Sequence, residues 1–231
     1  MNQERVGRFS SSSIYKLTAL DKKGGFGKPA LTYIQEKQWE MLLGRELVSD
    51  KDTRPTSWGL HNEQRVFDLL PLEYRLEIHK RYFHKDNAFW CGSPDIVAED
   101  FCGDIKCTWS LKSFCEGVDS FGNIEKFKDV KPEWYWQIVS NCILTEKKHG
   151  EIVIYCPYKK ELKEIKDDAN QSAHPAYAFI SFLDDEQLPY LHEGGFYKNL
   201  NQWRFEIPLT DIEFLTQRVT EATALVQGIK K

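Results

Sequence analysis

The sequence lacks the features of membrane-spanning, secreted and repetitive proteins. None of its apolar runs approaches the roughly 18 residues of a membrane helix, and the longest, such as residues 152–156 (IVIYC), are only as long as a strand. The polar stretch of residues 1–13 contains no signal-peptide core, and no internal repeat is visible. We therefore expect a cytoplasmic protein that does not enter a membrane.

The sequence also lacks an excess of positive charge. Lysine and arginine number 31 against 35 aspartates and glutamates, which gives a net charge of -4. This balance excludes a protein that coats DNA through uniform positive charge, but not an enzyme that needs positive charge only along a groove. The 231 residues, with 41% hydrophobic and 29% charged side chains, predict a single globular domain over residues 1–231.

Cysteine pairs typical of metal and redox sites are missing as well. No two cysteines form a CxxC motif, and no histidine stands at zinc-ligand spacing from them. The six cysteines are Cys91, Cys102, Cys107, Cys115, Cys142 and Cys156. We expect reduced, mostly buried thiols. An iron–sulfur cluster requires four of them to converge, and their spacing leaves that question open.

Helical patterns predominate towards the two ends of the chain. Serines 10–13 are available as N-caps of a first helix. Further helices are predicted at 30–48, at 57–70 (capped by Ser57 and ended by Pro71), at 133–145 and at 209–229. The glycine-rich stretch 22–29 (KKGGFGKP) is a loop, and Pro29 after the lysine excludes a phosphate-binding P-loop. Residues 49–55 are interpreted as a polar linker, and the charged run 159–168 as a solvated face.

Strand patterns fill the middle of the chain. Short β-branched and aromatic segments at 78–83, 88–91, 95–98 and 104–109 are separated by turn signals at 86–87, 92–94 and 102–103. They predict an antiparallel meander. Further strands are predicted at 152–155, 176–182 and 203–207. Helices and strands together predict an α/β (α+β) fold.

Two acidic motifs in this middle region carry the chemistry. Asp95 ends the run Gly-Ser-Pro-Asp, and nine residues later the chain reads Asp104-Ile105-Lys106. Because side chains alternate along a strand, Asp104 and Lys106 share one face and Ile105 points into the core. A tight strand pair places Asp95 beside them. Two carboxylates, with the Ile105 carbonyl, are suitable ligands for Mg²⁺, and Lys106 is placed to orient or deprotonate water.

The same motif has a simpler interpretation. An exposed hairpin would carry Asp104 and Lys106 as a surface ion pair, worth under ~1 kcal/mol. Two further residues favour the site. Glu63 lies four residues after Gly59 on one helical face, where a glycine permits close approach to another backbone, although a solvated glutamate is the alternative. Gln137 interrupts an apolar run, and a buried amide needs a partner, either a backbone group or a catalytic one.

These residues carry a family resemblance. The order Arg5-Val6-Gly7, a serine cluster, Trp58-Gly59-x-x-x-Glu63, Ser93-Pro94-Asp95, Asp104-Ile105-Lys106 and Gln137 resembles the PD-(D/E)XK nuclease superfamily. More narrowly, it resembles the lambda-type phage exonucleases, the YqaJ-like viral recombinase family, over about residues 5–145. The resemblance implies a restriction-endonuclease-like core, in which helices flank a mixed central β-sheet.

The resemblance also implies a site and an activity. The implied catalytic residues are Glu63, Asp95, Asp104 and Lys106, supported by Gln137. The implied ligands of one or two Mg²⁺ ions, or of Mn²⁺, are Glu63, Asp95, Asp104 and the Ile105 carbonyl. The implied 5′-phosphate pocket comprises Arg5, Ser12, Ser93 and Lys112. The implied activity is 5′-to-3′ digestion of one strand from duplex DNA ends in phage-type homologous recombination. A trimeric ring, a single-strand annealing protein as partner and the cytoplasm of a bacterial host cell are implied with it.

The sequence departs from the family pattern at three positions and leaves other functions open. Asp104 replaces a more usual glutamate, Asn141 a tyrosine and Lys112 an arginine.

A restriction or structure-specific PD-(D/E)XK endonuclease is one alternative, and a non-catalytic DNA-binding module with this fold is another. An enzyme acting through Cys91, Cys107 and His61 is a third, although spacing pairs no cysteine with a histidine. Phe83, Trp90 and Trp109 are candidates either for stacking on unpaired bases or for core packing.

Overall fold

The computed structural model of the protein describes residues 5–47, 53–75 and 80–228. The strands are β1 (Phe9–Ser10), β2 (Tyr82–His84), β3 (Asn87–Gly92), β4 (Ile96–Val97), β5 (Phe101–Cys107), β6 (His149–Tyr155) and β7 (Leu200–Glu206). The α-helices are α1 (Lys28–Leu43), α2 (Arg54–Leu69), α3 (Leu111–Val118), α4 (Ile124–Val130), α5 (Pro132–Thr145), α6 (Leu162–Gln171), α7 (Ala178–Phe182) and α8 (Leu209–Gln227). Short 3₁₀ helices cover Ser11–Thr18, Leu72–Arg75, Lys159–Glu161, Pro175–Tyr177 and Asp185–Gln187. Within the described ranges, no helix has both the length and the apolar character needed to span a bilayer.

A four-stranded mixed sheet forms the centre of the fold, in the order β4-β5-β6-β7. Strands β5 and β6 are parallel, whereas β4 and β7 run antiparallel to their neighbours. A parallel pair needs a long crossover, and α3, α4 and α5 supply it between β5 and β6. The predicted α/β class, with a mixed sheet flanked by helices, is confirmed.

The predicted single meander is wrong because its strands belong to two sheets. Strand β3 pairs with β1 and β2 in a separate three-stranded sheet, and β4 begins the four-stranded one. Ser93 and Pro94 carry the chain from the first sheet to the second, and proline has no N–H to extend a ladder. The first predicted strand, 78–83, begins at residues outside the described ranges; its described part forms a strand only from Tyr82.

The predicted turn at Cys102 and Gly103 is also wrong. Both residues lie inside β5, where Cys102 pairs with Val97 and Gly103 with Ile96. The chain turns earlier, and Ala98 N donates a 2.9 Å hydrogen bond to Phe101 O. A Cβ on Gly103 would lie 3.1 Å from the carbonyl oxygen of Glu151 on β6, so this glycine serves close strand packing rather than a turn.

Helices cover both faces of β5 and thereby position the site. Val66 and Phe67 of α2 pack with Ile105 in one buried cluster. On the other face, Ile138 and Val139 of α5 belong to the main core. Ile105 points into the core as predicted. Asp104 and Lys106 face α5 instead, because alternate side chains leave a strand on opposite sides.

Several helix ends differ from the predictions. Helix α1 stops at Leu43 because Gly44 adopts a left-handed conformation with φ 65°; the remaining predicted residues reach Val48, which lies outside the described part. Helix α2 starts before Ser57 because the side chain of Thr53 accepts a hydrogen bond from Thr56 N, so Ser57 is a buried helical residue and not a cap. The serine-rich helix is a 3₁₀ helix, and Ser10 makes no side-chain cap there.

The C-terminal third is partly as predicted. Helix α5 and strands β6 and β7 are confirmed, and α8 buries Leu215, Val219, Ala222 and Val226 along one face; predicted residue 229 lies outside the described ranges. The predicted strand 176–182 is wrong, since this segment is helical and buries Ile180 against Trp58. The charged run contributes to α6, an amphipathic helix that packs on the same cluster.

Candidate active site

One open cleft of about 770 Å³ collects most of the predicted site residues at the C-terminal end of β5. Its lining includes Glu63 from α2, Asp95 before β4, Asp104, Ile105 and Lys106 from β5, and Gln137 from α5, together with Arg5, Ser12 and Ser93. Residues from four separate parts of the sequence therefore meet at one strand end. Lys112 is not among the lining residues.

Asp104, Lys106 and Gln137 form a closed set of contacts. Gln137 Nε2 donates a 2.8 Å hydrogen bond to Asp104 Oδ1, and Lys106 Nζ donates one of 3.1 Å to Gln137 Oε1. Lys106 Nζ also forms an ion pair with Asp104 Oδ2. The Asp104 side chain is 1% exposed and that of Lys106 is 20% exposed. Gln137 therefore bonds to catalytic candidates, as predicted by the interpretation in which its buried amide pairs with a catalytic group and not with the backbone.

Asp95 is tied to the backbone beside Asp104. Its Oδ2 accepts a 2.7 Å hydrogen bond from Ile105 N. Strand β4 ends its pairing opposite Gly103 and Cys102, so the next part of β5 is open on that side. Because the N–H and C=O of one strand residue point to the same side, the Ile105 carbonyl also faces the Asp95 side. The predicted oxygen donors thus come together.

The carboxylates repel one another in this cleft. Burial, followed by the charges of Asp104 and Glu63, raises the pKa of Asp95 well above its ordinary value. Burial alone would lower the pKa of Lys106, but Asp104 and Asp95 outweigh it and raise that pKa. The ion pair with Asp104 and the hydrogen bond to Gln137 hold Lys106 Nζ inside the cleft, where it can donate hydrogen bonds.

Glu63 reaches the cleft from α2. It lines the cleft together with Asp95 and with Cys107 of β5. Close approach to another backbone was the predicted reason for a glycine at position 59, and the structure does not require it. A Cβ there would meet only the Cys107 carbonyl oxygen, at 3.8 Å, which is an ordinary contact, so the helix does not need a glycine to pack at this position.

The donor set suits a hard cation. Across the described ranges, no group of three or more His, Cys, Asp or Glu side chains is arranged to hold a metal ion. Mg²⁺ does not require one, because it commonly binds through one or two carboxylates and keeps several waters. Asp95, Asp104 and the Ile105 carbonyl provide oxygen donors, and the pKa of Asp95 is raised first by burial and then by the charges of Asp104 and Glu63, which a bound cation would offset. The residues therefore fit Mg²⁺, and Glu63 lines the same cleft.

A small pocket adjoins the cleft. It measures about 40 Å³, shares Arg5, Ser12, Ser93 and Gln137 with the cleft, and is also lined by Arg81. Arg5 Nε is buried there without a hydrogen-bond partner in the described part of the chain. We call this the anion pocket, because it combines two guanidinium groups with serine hydroxyls.

The anion pocket corrects one prediction. Lys112 lies on α3 with its side chain 83% exposed, where it pairs with Glu116 at 3.6 Å, so the structure does not bring it to the pocket. Arg81 was missed because no motif contains it. Only the pairing of Tyr82 with Gly92 across β2 and β3 places Arg81 beside Ser93.

The cysteines offer no competing nucleophile. All six are free thiols. Burial raises the pKa of Cys91 and, well above its ordinary value, that of Cys107. A thiol that stays protonated is a weak nucleophile. His61 Nε2 lies 2.9 Å from the carbonyl oxygen of Ile165, a structural contact.

The mixed-sheet fold of this chain is shared by solved exonuclease structures. An alkaline exonuclease, LHK-Exo from Laribacter hongkongensis, matches with a TM-score of 0.63 at 15% identity, over 96% of this chain and 89% of that one. LHK-Exo in complex with dAMP matches with a TM-score of 0.64 at 15% identity, over 97% and 90%.

A phage-related exonuclease from Haemophilus somnus 129PT also matches. Its TM-score is 0.61 at 17% identity, over 95% of this chain and 93% of that one. No protein-family model and no curated protein matches the sequence. The chain thus has the fold of alkaline and phage-related exonucleases, consistent with the resemblance found in its motifs.

Proposed function

We propose that this protein is a Mg²⁺-dependent DNA exonuclease that hydrolyses phosphodiester bonds from the ends of duplex DNA, in the 5′-to-3′ direction. One observation carries the proposal. Asp95, Asp104, Lys106 and Gln137 meet in a single cleft beside Glu63, within a fold that solved exonucleases share.

The side chains have distinct roles in this proposal. Asp95, Asp104, the Ile105 carbonyl and Glu63 would hold one or two Mg²⁺ ions, or Mn²⁺. When bound, Mg²⁺ supplies Lewis-acid chemistry by polarising phosphoryl oxygens and lowering the pKa of water. The Lys106 ammonium donates hydrogen bonds to the attacking water and offsets charge that develops on the phosphate. Gln137 fixes Lys106 and Asp104 relative to each other through its two hydrogen bonds.

The anion pocket supports preference for a DNA end. Arg5, Ser12 and Ser93 line both the pocket and the cleft, so a terminal 5′-phosphate held there lies next to the catalytic side chains. The guanidinium of Arg5 and the hydroxyls of the serines are donors that a phosphate monoester accepts well. We propose that this contact starts digestion at phosphorylated ends.

The wider setting follows the family resemblance. We propose a single nuclease domain that assembles into a trimeric ring around DNA, acts with a single-strand annealing protein, and serves phage-type homologous recombination in the bacterial cytoplasm. A ring would explain how an acidic protein holds DNA, because encirclement replaces part of the electrostatic grip. Light scattering after size-exclusion chromatography tests the ring, since a trimer predicts about three times the 27.0 kDa chain mass.

The activity is tested with one panel of substrates. Linear 5′-phosphorylated, linear 5′-hydroxyl and closed-circular duplex DNA are incubated with the protein, with Mg²⁺ and with EDTA. We expect Mg²⁺-dependent loss of linear DNA, fastest from phosphorylated ends, and intact circles. Cleavage of circles would support an endonuclease instead. DNA binding without cleavage of any substrate would support a non-catalytic module.

A further inference from the structure

Two tryptophans line the cleft. Trp109 follows β5, three residues after Lys106, and Trp134 lies in the first turn of α5, three residues before Gln137. Both line the cleft, and both are half-buried. Each tryptophan is therefore only three residues from a catalytic candidate in the sequence, and Trp134 lies about one helical turn from Gln137.

The indole of Trp109 packs against two other aromatic rings. Its ring centroid lies 5.8 Å from that of Trp58 at an interplanar angle of 70°, and 5.8 Å from that of Phe179 at 69°. Trp58 is fully buried in the cluster beneath α2. These edge-to-face contacts fix the indole while part of its surface stays open to the cleft.

Trp134 is supported by α3. A Cβ on Gly117 would lie 2.7 Å from Trp134 Cζ3, so the missing side chain of this glycine gives the indole its place. Lys131 Nζ lies 5.1 Å from the ring centroid and is itself held by Ser113 and Glu116. The ring is thus fixed where α5 lines the cleft.

Core packing explains why these rings are held but not why both border a polar cleft. Unpaired nucleobases bind proteins by stacking on aromatic side chains, largely irrespective of sequence. A phosphodiester at Asp104 and Lys106 has the base of its own nucleotide only a few bonds away. The two indoles are the aromatic surfaces that line the cleft around that position.

We propose that Trp109 and Trp134 form a nucleobase subsite that stacks on the base of the nucleotide being removed. This inference rests on the proposed exonuclease function and extends it to the recognition of the nucleotide. The subsite separates the terminal base from its partner strand and accepts all four bases. It favours nucleotides that carry a base over abasic ones.

The test combines altered substrates with altered enzymes. The substrates are 5′-phosphorylated duplexes whose terminal nucleotide is either normal or abasic. Wild type is expected to remove the abasic nucleotide about 5- to 150-fold more slowly, from the range known for loss of one stacked base. The Trp109→Ala/Trp134→Ala double variant should lose this discrimination and remove normal and abasic nucleotides at nearly equal rates, whereas Trp109→Phe should keep most of the difference.

Two controls separate stacking from structural damage. Trp39→Ala removes a tryptophan that is 49% exposed on α1, outside the cleft, and should behave as wild type. Binding is followed with 2-aminopurine at the terminal position, using Asp104→Asn protein so that no cleavage occurs. Its fluorescence should be quenched on binding, and the quench should be lost when both tryptophans are also changed to alanine.

The outcomes are distinct. Equal wild-type rates on normal and abasic ends would overturn the subsite. So would a double variant that keeps the wild-type ratio between the two rates while slowing both, because that marks a purely structural role. Absence of nuclease activity from wild type on every substrate would instead reject the proposed function, and the 2-aminopurine quench would still report whether the cleft binds a base.

Discussion

Gln137 of α5 donates a 2.8 Å hydrogen bond to Asp104 of β5, and this bond joins the crossover helix to the strand that carries the candidate catalytic residues. The other end of the same amide accepts from Lys106. One neutral side chain therefore fixes an anion and a cation that already form an ion pair. The arrangement places Gln137 as an orienting residue rather than a reacting one.

Gln137→Ala should lower kcat/KM by about 10- to 100-fold, the usual effect of losing a supporting contact at a catalytic centre. Gln137→Glu should be as damaging, because it adds a third carboxylate beside Asp104 and Asp95 and removes the donor to Asp104. Steady-state digestion of linear DNA measures the effect. Gln217→Ala, which removes an exposed amide on α8, is the control. A Gln137→Ala enzyme with normal kcat/KM would remove this residue from the mechanism.

Asp95→Asn should stabilise the protein when no divalent ion is present. A carboxyl whose pKa is raised on folding destabilises the folded state once the pH exceeds its unfolded pKa, since ionised Asp95 faces Asp104 and Glu63. We expect the free energy of unfolding in EDTA to rise by about 0.5 to 2 kcal/mol, which is the usual range for a single stabilising substitution at a functional site.

The same variant tests the ion. Mn²⁺ or Mg²⁺ should raise the melting temperature of wild type but not that of Asp95→Asn. Asp100→Asn alters a carboxylate that is 63% exposed and contacts Arg204, and it should respond to the ions like wild type. Equal ion-induced stabilisation of the Asp95 and Asp100 variants would show that the ion does not bind at Asp95.

Arg81→Ala should reduce the preference for 5′-phosphate over 5′-hydroxyl ends by about 10-fold or more, as expected for a lost charge-assisted hydrogen bond. The ratio of kcat/KM on the two ends measures it. Lys112→Ala is the matched control, because Lys112 lies outside the anion pocket. If this kcat/KM ratio falls for Lys112→Ala but not for Arg81→Ala, then Lys112 contributes to 5′-phosphate binding, as the family resemblance implies, and Arg81 does not.

Two glycines should respond to alanine in opposite directions. A Cβ on Gly150 of β6 would come within 2.2 Å of Ile138 Cγ2, and such overpacking typically destabilises by about 1 to 3 kcal/mol. Gly59 has room in helix α2, so Gly59→Ala should stabilise by about 0.5 to 1 kcal/mol through helix propensity. Urea unfolding compares the two. A neutral Gly150→Ala would contradict the packing of α5 on β6.

The sequence was sufficient for the relations that depend on strand periodicity. Alternation placed Asp104 and Lys106 on one face and Ile105 in the core, and both placements are observed. Asp95 lies beside them although the predicted turn was wrong, because it reaches Ile105 N through its side chain and not through strand pairing.

Long-range contacts account for what was missed. Arg81 enters the anion pocket only through the pairing of β2 with β3. Lys112 follows the family spacing, yet α3 directs its side chain to solvent. Residues 176–182 (AYAFISF) are rich in aromatic and β-branched side chains, but burial of Ile180 in one cluster with α6 and Trp58 outweighs their intrinsic β-preference.

The central claim, that Lys106 and its neighbours cleave DNA, is tested most directly by the rate at which Lys106→Ala protein releases nucleotides from 5′-phosphorylated linear duplex in Mg²⁺. The account predicts a loss of several orders of magnitude relative to wild type, with the folded state and DNA binding retained. Digestion by a folded Lys106→Ala protein at the wild-type rate would contradict it.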